Sequence, residues 1–513
     1  MRDTDNSAFE RDKRVDTPAG PPQEFPSLPD SFVIGAGKCL PWGGVGPKRT
    51  LLLCFLLLLS LAHYLVLIAI ASQSGDSRIP FLLAWLICFL PYIVACIFVL
   101  ATKPLVGRWF RVEMAILIFG ALLFRLLLLP LPVNLSPDVW RYLWDAHVFV
   151  HGYSPYAYAP ADKVLLPLHN ILLTNSRFRN TPTKYPPGAE LFFVIGYWLS
   201  ATNLWGIKGM FIACDMLTCG ALAWLLSKKR LDARRVIIYA WCPLPIVEFA
   251  IEGHLDVLVI MFTVLALLSA TIFGTNEHRG QILTGFLIGL ATLIKLYPIL
   301  LLVVFFRGRN WILILTCFVT ILLGYIPFFL LGHGQVLAVL LSFTGQQQYF
   351  ESVIGRLVEW NSAGRGLTQA AIMRLTDGLE ALIIGTVALV VFILRLRGRI
   401  GTAAATVVLI GTILTCYSHL FPWYAPALLP WIAVLASPLR AHGKLSGRGL
   451  AIASVWYFTF VVILSYMLGL RAFDTRAAWS LYYEISFGVV LIGIGVAALV
   501  AYRSHIIRIR MKE

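Results

Sequence analysis

NLSPDVWRYLWDAHVFVHGYSPYAYAP, Asn134–Pro160, is the stretch on which the reading of this chain turns. It comes directly after an apolar run, Val112–Leu131. It gathers Asp138, Asp145, Arg141, His147 and His151 among a dense set of tyrosines and tryptophans. On a helix, Asp138, Arg141, Tyr142 and Asp145 share one face at spacings of three and four. The plain alternative is an amphipathic helix lying at a membrane surface with a local Asp–Arg pair. The polar cluster is read as a loop just outside a membrane, because of what surrounds it.

The chain has 513 residues, of which 59% are hydrophobic and 13% charged, with mean hydropathy +0.79. A soluble domain cannot bury so much apolar side chain, so lipid is the main solvent. The net charge of +16 is not a nucleic-acid signature. Its basic residues stand in short clusters between apolar runs, as membrane topology requires. Nine cysteines show no CxxC pairing, and most lie inside apolar runs as small hydrophobes.

Residues 1–48 are polar and rich in Pro and Gly, and are expected to be a disordered cytoplasmic tail rather than a signal peptide. Residues 49–513 are read as one membrane domain, with residues 133–203 as an extracytoplasmic loop carrying interfacial helices. The first apolar runs are Leu51–Ala71, Phe81–Ala101 and Val112–Leu131. The short basic link KPLVGRWFR (Lys103–Arg111) places their junction inside and the Asn134 loop outside. Pro186–Ser200 is apolar but short, and Trp205–Leu226 leads into SKKRLDARR (Ser227–Arg235). If both crossed, that basic run would lie outside. Tyr185–Ser200 is therefore expected to be an interfacial or re-entrant helix starting on its proline pair. Val236–Ile251 and Leu255–Ile272 then read as crossings. Ile282–Phe306 carries KLYP in its middle and reads as two half-helices meeting at Lys295–Pro298. Crossings are also expected at Trp311–Leu331, Leu379–Leu396, Thr402–Tyr417, Pro422–Leu435, Ala451–Leu470 and Ile485–Ala501. Gly332–Thr376 reads as a second outer loop. The total is about 12 crossings plus two re-entrant elements, with both termini inside.

Four polar groups fall at the outer ends of these spans. The first is Asp138–Asp145. The second is EFAIEGHLD, where Glu252, His254 and Asp256 surround Gly253. It lacks a second His–carboxylate pair of matching spacing, so metal is not inferred. The third is Lys295 with Tyr297; a lysine within an apolar run is costly and is a functional hypothesis by default. The fourth is SHLFPWY (Ser418–Tyr424), with His419, Trp423 and Tyr424; interfacial Trp and Tyr are also common as plain anchors. Arg125 is a further charge inside an apolar run, either snorkelling outward or facing a cavity.

The order of these motifs resembles bacterial glycosyltransferases of the GT-C class. The likeness is to polyprenol-phosphate-mannose-dependent mannosyltransferases, of the family 87 type. Those proteins share a DxxRYxWDG-type loop, here Asp138–Asp145, and an NPYRYAP-type turn, here Ser154–Pro160. A YPP helix stands here as Tyr185–Pro187, and a PLxxxEFxxxGHxD turn as Pro243–Asp256. A KLYP break stands as Lys295–Pro298 and a PWY motif as Pro422–Tyr424. Two departures, Ala146 for the usual Gly and Leu255 for the usual Asn, imply altered acceptor preference.

The resemblance implies an all-α, polytopic GT-C bundle in the cytoplasmic membrane of a bacterium, with its site facing outward. It implies a polyprenyl-phosphate-linked sugar donor, of mannose or a related hexose, and a glycan or lipid acceptor. Nucleic acid is not an expected partner, and membrane lipid is. No cofactor is implied, and a divalent ion is left open. Asp138 is expected as general base, held ionised by Arg141 against partial burial. Lys295 and Arg125 are the candidate cations for the leaving phosphate. Arg141, Tyr142, Asp145, Tyr185, Glu252, His254, Asp256, Tyr297, His419, Trp423 and Tyr424 are expected to line the substrate. A transporter or flippase of lipid-linked sugars shares the need for charges at membrane depth, but has no evident use for a long acidic, aromatic outer loop.

Overall fold

The computed structural model describes residues 46–73, 78–337, 352–362, 364–416, 420–437, 440–441, 444–468, 470 and 475–510. They fall within one unit, Leu40–Glu513. The expected tail lies outside the described residues except for 46–48, which already belong to the first helix.

In chain order the helices begin with α1 (Gly46–Ala71), α2 (Arg78–Ile87), α3 (Phe89–Ala101), α4 (Arg108–Leu128) and α5 (Asp138–Val150). Next come α6 (Ile171–Asn175), α7 (Pro187–Leu199), α8 (Trp205–Lys228), α9 (Ile237–Ala240), α10 (Pro243–Ala250) and α11 (Asp256–Ile272). After them stand α12 (His278–Ile294), α13 (Leu302–Phe305), α14 (Trp311–Leu331), α15 (Val353–Ser362), α16 (Gln369–Leu396) and α17 (Thr402–Cys416). The series ends with α18 (Leu429–Leu435), α19 (Gly447–Val461), α20 (Ser465–Leu468), α21 (Arg476–Tyr483) and α22 (Val489–Arg510). A two-residue antiparallel pair, Arg440–Ala441 with Lys444–Leu445, is the only strand pairing among the described residues.

Seven of the described helices are long and apolar enough to cross a membrane, at Gly46–Ala71, Arg78–Ala101, Trp205–Lys228, Trp311–Leu331, Gln369–Leu396, Gly447–Leu468 and Ala477–Ser504. This is a helical membrane protein. The expected count of about 12 is not reached by length and composition, for two physical reasons. First, α4 has the length but carries Arg108, Arg111, Glu113 and Arg125. Its buried charges are neutralised inside the bundle: Glu113 pairs with Arg234 at 3.0 Å, and Arg125 with Asp215 at 2.6 Å. Second, several apolar runs are short or broken. Val236–Ile251, expected as one crossing, breaks at Trp241–Cys242 ahead of Pro243, giving α9 and α10. Every residue of α10 is buried, as are most of α11. These are helices buried against protein on all sides, and their composition cannot be told from that of a lipid-facing span.

The expected start of α7 on its proline pair is what forms. Pro186 is extended at the N-cap and Pro187 occupies the first turn, where a missing N–H costs nothing. At 13 residues the helix rises about 20 Å, short of a full hydrocarbon core. The expected break at Lys295 also forms: α12 ends at Ile294 and Lys295 is extended, with φ −145° and ψ 144°. The expected second half-helix is short and begins as a 3-10 helix. It consists of a 3-10 turn, Tyr297–Leu301, that runs on into the single turn α13.

The helices α8, α11, α12 and α14 pack in series, and α7 lies against α5, α8 and α12. Close approach of α12 to α14 depends on Gly289, where an added Cβ would sit 2.7 Å from Thr320 Cβ. With Gly285 it forms a GxxxG face of the kind that lets membrane helices touch.

Candidate active site

The site is built around the start of α5. Helix α4 ends at Leu128, ahead of Pro130 and close to the expected end of the run at Leu131. Pro137 is the N-cap of α5, and the residues between run as irregular chain. Two side chains hold that chain in place. Lys208 Nζ donates to the carbonyls of Leu129 and Leu131 at 2.9 and 2.8 Å. The Glu252 carboxylate accepts from the N–H groups of Leu135 and Ser136 at 3.1 and 3.0 Å, and from Asn134 at 3.3 Å. Burial pushes the Glu252 carboxyl up to about 7, against the pull of those N–H groups and of Lys208. The Asp138 N–H donates to Ser136 Oγ at 3.4 Å, so the grip passes to the head of the helix.

Asp138, Asp256 and Lys295 act on one another electrostatically. Lys295 Nζ lies 2.6 Å from Asp256 Oδ1 and 3.8 Å from the centre of the Tyr424 ring. Its side chain keeps 17% exposure, against 5% for Asp256. The break in α12, the head of α11, the head of α5 and the Pro422–Leu428 turn thus converge. From the sequence, Arg141 is expected to keep Asp138 ionised. The structure reverses the balance: burial raises the Asp138 carboxyl above its ordinary value, and the leading opposing charge is Lys295, with Arg141 a minor one.

Arg141 is engaged elsewhere. Its Nε donates to Asp145 Oδ1 at 2.7 Å, and its terminal nitrogens donate to the carbonyls of Phe178 and Thr181 at 2.9 and 3.0 Å. The local pair is thus Arg141–Asp145, four residues apart, and it ties α5 to the 176–183 segment. Behind it, Thr183 Oγ1 donates to Glu190 Oε1 of α7 at 2.7 Å. Tyr142 meets Tyr185 edge-on at 5.1 Å and stacks on Phe193 at 4.3 Å.

Beside Lys295, His254 stacks on Trp423 at 3.9 Å, and its Nδ1 lies 2.8 Å from Glu248 Oε2. Tyr466 donates to both Glu248 oxygens at 3.2 Å. Burial, then the charge of Lys295, lowers the His254 imidazole. Trp423 also stacks with Phe421 at 4.3 Å. Tyr297 is half-buried beside the break. His419 lies outside the described residues. No cluster of three or more His, Cys, Asp or Glu side chains able to hold a metal ion occurs among the described residues.

Arg125 lies apart from this group. It is fully buried, with Nε on Asp215 and Nη1 on the carbonyls of Ala121 and Ala240 at 2.9 and 2.8 Å. Tyr239 completes the pair by donating to Asp215 at 2.6 Å. Lys208 and Asp215, both in α8, were not among the residues expected to matter. Charges inside an apolar span were the available signal. Glu190, three residues beyond Pro187, carried the same mark within its short apolar run.

Residues 183–421 match the family model of glycosyltransferase family 87. The match indicates a glycosyltransferase. It takes in Tyr185, the Glu248–Asp256 turn and the Lys295 break, while Asp138 precedes it and Trp423 and Tyr424 lie beyond its end. No match was found among curated proteins or among solved structures.

Proposed function

We propose that the chain moves a sugar, mannose or a related hexose, from a polyprenyl-phosphate donor to a glycan or lipid acceptor outside the membrane. The bundle is of the GT-C type in this reading, and transfer inverts the anomeric carbon. The observation that carries it is the convergence of Asp138 with Lys295 and Asp256 at the break in α12. The acceptor hydroxyl oxygen bonds to the anomeric carbon as the bond to the phosphate oxygen breaks. The electron pair leaves with the phosphate, and the hydroxyl proton passes to Asp138. The donor is a phosphodiester with one negative charge; the departing polyprenyl phosphate gains a second. Lys295, fixed by Asp256 and Tyr424, meets that growing charge without reorganising, which favours the transition state over the ground state. Glu252, Arg141 and Asp145 act here by fixing the loop, and His254 and Trp423 by bracing the pocket wall. Arg125, spent on Asp215, braces α4 against α8.

The assay is purified protein in lipid with polyprenyl-phosphate sugars and a panel of acceptors. Acceptor-dependent release of free polyprenyl phosphate supports the reading. A flippase would move the lipid with its glycosyl bond intact, and that outcome defeats it.

Two predictions arise from this reading. The first concerns pH. A base must be ionised, and burial raises Asp138, so kcat/KM should fall on the acid side with a midpoint above the usual carboxylate range. Lys295→Met removes the main influence opposing burial and should move that midpoint to higher pH. A limb in the ordinary carboxylate range, unmoved by the substitution, would exclude Asp138 as the base. The second concerns sidedness. Cysteines placed at exposed Lys163 and Lys228 should differ, the first labelled from outside by an impermeant reagent and the second not. External labelling at Lys228 would overturn the expected orientation.

A further inference from the structure

A cavity of about 320 Å³ lies at the far end of α8 from the Asp138 loop. Helix α8 is long and apolar enough to cross a membrane. Near its start, Lys208 holds the carbonyls of Leu129 and Leu131; at its end, Ser227 lines the cavity. Residues 104–107 and Phe110 form one wall, and Ser227 with residues 231–233 the other. The first wall follows Ala101, where the span Arg78–Ala101 ends. Both walls therefore stand where crossing helices leave the hydrocarbon, at the depth of lipid headgroups.

A paired network fixes the walls. Arg49 donates to Lys103 O at 2.7 Å and to Thr102 Oγ1 at 3.0 Å, and Arg234 donates to Thr102 O at 2.7 Å. Arg234 also pairs with Glu113 at 3.0 Å and Asp232 at 2.8 Å, and Arg49 lies 3.6 Å from Glu113. Two arginines thus offset two carboxylates. Asp232, the one carboxylate in the lining among the described residues, is spent on Arg234. Beyond that network the two links are cationic. Lys103 and Arg108 flank residues 104–107 in the chain, and Lys228, Lys229 and Arg230 stand between Ser227 and Leu231. Arg230 takes a left-handed turn, φ 55°, that carries the chain out of α8 into the second wall. Apart from Ser227 and Asp232 the lining is apolar, and Val106 is 90% exposed.

We infer that this cavity binds the headgroup of an anionic phospholipid, its phosphate beside the flanking cations and its glycerol end against the apolar wall. Basic pockets between crossing helices at a membrane surface suit such headgroups. The volume is at the small end of ligand sites, about 300–1,000 Å³, and fits a headgroup rather than a whole lipid. Below the cavity α8 exposes Leu217 and Trp224, two turns apart on one face, an apolar track for an acyl chain. The length of α8 separates this cavity from the Asp138 loop, so the inference does not depend on the glycosyl-transfer reading. Free phosphate carries the same charge without the apolar part, and the test separates the two.

The experiment titrates the full chain, in a neutral detergent, with phosphatidylglycerol or phosphatidylcholine and counts bound lipid by native mass spectrometry. One phosphatidylglycerol should be held about thirtyfold more tightly than phosphatidylcholine, the effect of two basic residues near an anionic lipid. Lys103→Gln with Lys228→Gln removes one exposed cation beside each wall and should abolish most of that preference. Val106→Asp places a carboxylate at an exposed lining position and should weaken phosphatidylglycerol more than phosphatidylcholine. Arg309→Gln, at an exposed cation outside the lining, should bind as wild type. Equal affinity for the two lipids would overturn the inference, and so would an undiminished preference in both cavity variants. A loss in Arg309→Gln as large as in the double variant would reduce the effect to general surface charge and overturn it. Displacement of phosphatidylglycerol by an equal concentration of inorganic phosphate would make the cavity a site for soluble anions and overturn it as well.

Discussion

Asp138→Asn should lower kcat by about 10²–10⁴-fold while donor binding survives, the loss typical of a positioned general base. The amide keeps the size of the carboxyl and its place at the head of α5 but cannot take a proton. The loop that carries it is gripped through Glu252, so the fold should survive the exchange. Asp145→Asn is the informative partner. Asp145 is buried and accepts from the Arg141 Nε at 2.7 Å. Removing one member of a buried pair costs about 3–5 kcal/mol, so this variant should lose thermal stability, with a milder loss of kcat per folded molecule. The reverse pattern, with Asp138→Asn active and folded Asp145→Asn dead, would move the base to Asp145. Full activity in both would end the reading of this loop as catalytic.

Lys295→Met should reduce kcat by about 10²–10³-fold, as removal of a charge aimed at a developing anion does, and weaken donor binding far less. The difficulty is Asp256, left buried without its partner. The double variant Lys295→Met with Asp256→Asn leaves no charge stranded at position 256, so it should regain much of the stability the single variant loses and remain as slow. A double variant that is stable and also fast would mean that the pair only braces α11 against the break in α12.

The parts of the fold legible in the sequence were those with local causes. The proline pair marked the start of α7, and Lys295 before Tyr297–Pro298 marked the end of α12. Helix α5 was legible from its spacing. The illegible parts have non-local causes. Arg125 looked like a cation at membrane depth, and its partner Asp215 lies 90 residues further on. The Val236–Ile251 run looked like a crossing because burial against protein and exposure to lipid select the same apolar residues. In the site, Asp138 and Lys295 stood out by their chemistry, and the balance of forces on Asp138 did not, because it is set by chain folded back from elsewhere.

The grip of Glu252 on Asn134, Leu135 and Ser136 spans 118 residues of sequence for the first of these. Lys295 adds a further 39 beyond Asp256, and Tyr424 more again. In a chain inserted into a membrane from its N-terminus, the loop bearing Asp138 is therefore delivered before Glu252 exists to hold its start. Its start is first held by Lys208 of α8 and then by Glu252, which follows α10, and the pairing of Lys295 with Asp256 must wait for the end of α12. Biogenesis thus supplies a safeguard: no chain that stops short of Tyr424 can hold the acid, the lysine and the ring together.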